Sequence, residues 1–273
     1  MKIKLIFFFL FISLISCEKQ TEWQLKGSVQ NTVVVEGVIT DEFQSQTIKL
    51  SLTVGEFNKT PQPISGAEVI VSNEDSTYSF TETPVDPGIY KSNLSFAGML
   101  GKNYTLTINY NNNIYSAKTT MIAGSLFHPL QYLKNSNNDL YHISKVSNTY
   151  SPLKYAMWEI LLDWSKVQGF QNHNPDSCKA RLLYYSLPTI DVGQVFSPEI
   201  EKVSFPLGTT ITQKRYSLTS EYAEFIRALL YETSWEGGLF DSAHSNLPTN
   251  ISNGAVGYFS ACSVTSLFFK VSP

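Results

Sequence analysis

The chain has three cysteines, at positions 17, 178 and 262, and only the first sits in a context that dictates its chemistry. In Leu14-Ile15-Ser16-Cys17 a leucine stands three residues ahead of the cysteine and a small residue directly before it. That arrangement resembles the bacterial lipobox, in which the thiol is acylated and the cysteine becomes the new N-terminus. Lys2 and Lys4 supply a positive start, and an apolar run follows from Leu5 to Ile15. The run is shorter than the roughly 20 apolar residues of a permanent helical span, and the basic-then-apolar order is that of a secretory signal. Residues 1–17 are therefore expected to be a lipoprotein signal peptide, with Cys17 as the lipidated residue carrying palmitate-type acyl chains.

The other candidate chemistry is weaker. With Cys17 committed to lipid, Cys178 and Cys262 remain in a chain that works outside the reducing cytoplasm, so one disulfide between them and two packed thiols are both open. His128, His142, His173 and His244 are scattered, without the i, i+4 spacing of a helical metal site, and neither Cys-x-x-Cys nor His-Glu-x-x-His occurs. His173, Asp176 and Cys178 read as loop residues rather than ligands. Neither a metal nor a cofactor is expected. Gly-x-Ser-x-Gly is absent, so no serine is placed on a strand-to-helix elbow. Glu159 with Asp163, or Glu199 with Glu201, would serve glycoside chemistry only if folding set the two carboxyls about 5–10 Å apart. Solvated surface carboxylates are the commoner reading. Trp158, Trp164 and Trp235 are candidates for stacking on a flat ligand, with burial in the core the better reading. Trp235, Gly237, Gly238 and Phe240 lie in a short segment whose aromatic and glycine content suits a contact surface. Asp75-Ser76-Thr77 and Asp241-Ser242-Ala243 have the Asp-Ser/Thr-small pattern of an O-glycosylation site, or of an ordinary turn.

The elements that must position these groups are mostly strands. Glu18 to Gln30 is polar and aperiodic, a tether of residues 18–30. From Thr32 the pattern becomes period two: Val33, Val35 and Ile39, then Ile48, Leu50, Leu52 and Val54 alternating with polar residues. Pro61, Pro63 and Gly66 interrupt it, Ala67, Val69 and Val71 resume it, and Tyr104, Leu106, Ile108 and Tyr110 lead into a hairpin at Asn111-Asn112-Asn113. About seven short strands within a hundred residues are the pattern of an immunoglobulin-like or transthyretin-like β-sandwich, assigned to residues 31–122. Met121 to Pro129 marks a boundary. Residues 123–273 read as a β-rich C-terminal domain, with strands at Leu140–Val146, Tyr155–Trp164 and Arg181–Leu187. A closing strand pair is expected within Val256–Phe269, turning near Ser263 to Ser266. One amphipathic helix is expected, at about 219–235, where Tyr222, Phe225, Ile226, Leu229 and Leu230 fall at helical spacing and Gly237-Gly238 ends the run.

Bulk properties agree with an exported, mostly β protein. Charged residues make up only 16% of the 273 residues and aromatics 13%, a balance that disfavours disorder and favours strands. The net charge is −3, so no basic excess exists to neutralise phosphates, and nucleic acid is not an expected partner.

Several of these landmarks occur together: the Cys17 motif, Val34-Val35-Glu36-Gly37, Pro63 to Val69, Tyr104-Thr105-Leu106, the late helix, and Asn250-Ile251-Ser252-Asn253-Gly254-Ala255-Val256-Gly257-Tyr258-Phe259. Together they resemble the Bacteroidota lipoprotein family catalogued as domain of unknown function 4249. The likeness covers almost the whole chain after Cys17. The resemblance implies an outer-membrane protein held by its N-terminal lipid, on either the cell-surface or the periplasmic face. It also implies a non-enzymatic binding or accessory role beside a TonB-dependent receptor. The other readings are a surface adhesive or structural module and a hydrolase whose site the sequence does not reveal. The resemblance carries over no catalytic residue.

Overall fold

The computed structural model describes residues 31–54, 59–146, 155–187, 203–233 and 247–273. Alternation of apolar and polar side chains becomes strand in β1 (Val33–Thr40), β2 (Thr47–Leu52), β3 (Glu68–Ser72), β4 (Thr77–Glu82), β5 (Ile89–Ser92), β6 (Asn103–Tyr110) and β7 (Asn113–Thr120). The turn between β6 and β7 holds Asn111 and Asn112 at φ 49° and 59°, the left-handed region that asparagine tolerates better than most residues. Inward positions of these strands, among them Val35, Ile39, Ile48, Leu50, Val71, Leu106 and Ile108, form one buried core.

An eighth strand joins this sheet from the far end of the chain. β14 (Val256–Cys262) runs parallel to β1, with Val35 opposite Gly257 and Gly37 opposite Phe259. The hydrogen-bonded order is β14-β1-β2-β5-β4-β3-β6-β7, a single nearly closed sheet. Two glycines permit the close parallel pairing. Gly257 has φ +94°, and a Cβ there would fall 2.1 Å from the Val35 carbonyl oxygen. A Cβ on Gly37 would press on the Phe259 ring at 3.2 Å and on Ile48 at 3.3 Å.

The second half builds two smaller sheets. β8 (Gln131–Lys134), β9 (Leu140–Lys145) and the two-residue β12 (Phe205–Pro206) pair in the order β12-β9-β8. β10 (Ala156–Asp163), β11 (Lys179–Ser186), β13 (Thr210–Ser217) and β15 (Val264–Lys270) form an antiparallel sheet ordered β11-β10-β13-β15. The sole α-helix among the described residues is α1 (Ser220–Thr233), shorter at its start by one residue than expected because Thr219 caps it. The Thr219 hydroxyl accepts from the Tyr222 N–H at 3.2 Å, satisfying a donor that the first turn leaves without a helical partner.

The mostly β character and the amphipathic helix agree with the sequence reading, whereas the C-terminal strands do not close as a hairpin. β14 belongs to the first sheet and β15 pairs with β13 in the second, so the chain passes from sheet to sheet at Ser263. That crossing is well bonded. The Ser263 hydroxyl donates to Asp41 Oδ2 at 2.6 Å, the Val264 N–H donates to Asp41 Oδ1 at 2.7 Å, and Ser217 and Ser263 exchange two further bonds. Nearby, Lys214 Nζ donates to both carboxylate oxygens of Glu42, at 2.7 and 2.9 Å. Asn31–Pro273 accordingly make up one compact unit, with strands from both sides of position 122 in its first sheet.

Candidate functional site

The two edges of the first sheet, β7 and β14, are joined by the segment that precedes β14. Ser252 donates its N–H to the Ser116 carbonyl at 2.8 Å and accepts the Ser116 N–H on its hydroxyl at 2.8 Å. The Asn250 amide nitrogen donates to the Lys118 carbonyl at 3.2 Å and to the Phe259 carbonyl at 2.7 Å, while its oxygen accepts from the Phe259 N–H at 3.0 Å. One side chain thus does what a strand backbone would do, satisfying edge groups of β7 and β14 together. Further along, Ile122 and Cys262 form a parallel bridge.

Over this seam opens a cleft of about 750 Å³. One wall is β7, with Lys118, Thr119 and Thr120; the opposite wall is the N-terminal turn of α1, with Thr219, Ser220, Glu221 and Glu224; Asn250 and Tyr258 lie between. The Tyr258 ring is held by Tyr222 at 4.9 Å and Phe225 at 5.1 Å between centroids, and is 8% exposed, so it offers its edge rather than a stacking face. The Glu221 carboxyl lies below the ordinary carboxylate range. The leading cause is its own backbone N–H, followed by burial acting in opposition and by the Ser220 and Thr219 hydroxyls. The Tyr258 phenol is pushed up to about 12, first by burial and then by the charge of Glu221, with the Thr219 hydroxyl opposing. At neutral pH the cleft therefore presents a fixed carboxylate, a neutral phenol and several hydroxyls. This set of groups suits hydrogen bonding to a ligand.

The carboxylates singled out on β10 do not converge. Glu159 and Asp163 are four residues apart on one strand, about 13 Å along it. Each has its own structural partners. Glu159, 8% exposed, accepts from Arg181 Nε at 2.6 Å and from the Tyr216 hydroxyl at 2.8 Å. Asp163 accepts from the Ser165 hydroxyl and N–H, and these bonds lower its pKa. A smaller cleft of about 540 Å³ on this face is lined by Asp163 with Leu161, Arg181, Thr212 and Phe268.

Cys178 and Cys262 are both buried and free, in different core clusters, and are not bonded to each other. Trp158 and Trp164 are buried, at 1% and 9% exposure, as core positions of β10 and the turn after it. His142 bonds Asn135, and His173 packs edge-on against Phe170. Asp176 is the second residue of a 3-10 turn, Pro175–Cys178, capped by Asn174. Among the described residues no three His, Cys, Asp or Glu side chains form a metal-binding group, and no helix is long and apolar enough to cross a membrane. Asp75-Ser76 occupies the β3–β4 turn, where Asp75 pairs with Lys102 at 2.8 Å. Cys17, Glu199, Glu201, Trp235, Gly237, Gly238, Phe240, Asp241 and His244 lie outside the described residues.

The cleft itself escaped the sequence reading because it joins residues 118–122, 219–224 and 248–258, which no local pattern links. Its sequence signals are Asn250 and Tyr258, both inside the landmark segment Asn250 to Phe259. A search of curated proteins found no match to the chain. A family model matches residues 18–267, and the chain belongs to that family, described as domain of unknown function (DUF4249).

Proposed function

We propose that the protein is an outer-membrane lipoprotein, anchored through acylated Cys17, that serves as a binding or accessory subunit of a TonB-dependent uptake system and presents the cleft beside α1 to its ligand or partner. The observation that carries the binding role is the construction of that cleft. Its hydrogen-bonding groups stand on a helix start, a strand and the Asn250 seam, elements that hold side chains in place before a ligand arrives. The Leu14-Ile15-Ser16-Cys17 context supports the anchor, and the tether of residues 18–30 supports a folded unit held off the lipid surface.

The test is fractionation combined with mild-detergent co-purification. Wild-type protein is expected in the outer membrane with acyl mass on an N-terminal Cys17, and a β-barrel receptor is expected to co-purify with it. Cys17→Ser is expected to leave the membrane with its fold intact. A fully membrane-bound Cys17→Ser overturns the anchor. A wild-type protein that purifies without a barrel, even after cross-linking in intact cells, overturns the accessory role. Loss of cell attachment without loss of nutrient uptake in a deletion strain would favour the adhesive reading.

A further inference from the structure

We draw no further inference here: the strongest candidate, the patch of exposed apolar side chains Phe43, Leu94, Met99 and Leu100 on the loops that follow β1 and β5, carries nothing because nothing in the structure shows what covers it.

Discussion

The Asn250 side chain holds both backbone polar groups of Phe259, accepting its N–H at 3.0 Å and donating to its carbonyl at 2.7 Å. Because the same amide nitrogen reaches the Lys118 carbonyl, a single residue before β14 joins that strand to β7. The open edges of the sheet meet there, and the cleft lies directly above. Together with the Ser116–Ser252 bonds, this side chain closes the sheet beneath the candidate site.

Asn250→Ala removes two partly buried hydrogen bonds and one exposed one, each worth about 0.5–1.5 kcal/mol net, and is expected to cost about 2–3 kcal/mol. Asn250→Asp keeps the acceptor for the Phe259 N–H but sets a carboxylate against two carbonyl oxygens, so it is expected to be at least as destabilising. Urea denaturation of both variants checks this. Wild-type-like stability in Asn250→Asp would mean that the bonds to Lys118 and Phe259 carbonyls contribute little.

Gly257 and Gly254 separate steric need from conformational preference. Both have positive φ, +94° and +73°, but a Cβ on Gly257 would strike the Val35 carbonyl oxygen at 2.1 Å while one on Gly254 meets nothing within 4 Å. Gly254→Ala is expected to cost about 1–2 kcal/mol, the left-handed penalty alone. Gly257→Ala must also separate β1 from β14 and is expected to exceed about 4 kcal/mol, seen as insoluble or unfolded protein. Equal thermal midpoints for the two variants would refute the close parallel pairing.

Glu159 tests what a half-covered ion pair contributes. Arg181 is 62% exposed along its side chain, so its bond to Glu159 is expected to be worth under about 1 kcal/mol, and Glu159→Gln, which still accepts from Tyr216, should lose little. Glu159→Leu strands the Tyr216 hydroxyl and is expected to cost about 1–3 kcal/mol. Adding Tyr216→Phe to Glu159→Leu should recover most of that loss. An additive double mutant would show that the two side chains are not coupled.

Most strands were legible because their inward residues are apolar at period two, as in β1, β2 and β6. β13 was not, although it is a central strand of the second sheet. Its inward side chains are Ile211, Gln213, Arg215 and Ser217, all buried, so a strand core written largely in polar residues reads as surface. Each has a neighbour of its own: Gln213 accepts the Leu130 N–H at 3.1 Å, the Ser217 hydroxyl accepts the Ser263 N–H at 2.9 Å, and the Arg215 guanidinium lies 5.6 Å from the centre of the Trp158 ring. Likewise the apolar run at Val256–Phe269 announced strands but not their partners. Pairing β14 with β1, more than two hundred residues earlier, depends on Gly37 and Gly257 facing Phe259 and Val35, a relation visible only in three dimensions.

Burial pushes the Cys262 thiol up to about 12 from an ordinary 9.0, against a weak opposing bond from Ser260. Since the folded state keeps this proton where the unfolded chain has released it, the associated stability is fully present below about pH 9 and is lost as pH rises from 9 toward 12. Tyr258, raised from 10.0 to about 12, acts in the same direction over the upper part of that window. The urea midpoint is therefore expected to fall between pH 9 and 11, and Cys262→Ala, though less stable at pH 7, should show a shallower fall. Both thiols are also buried away from solvent and its reagents in the folded state. At pH 8 without reductant a thiol reagent should label neither Cys178 nor Cys262 in native Cys17→Ser protein and both in urea. Native labelling would contradict their burial, and no labelling in urea would show that they are bonded to each other after all.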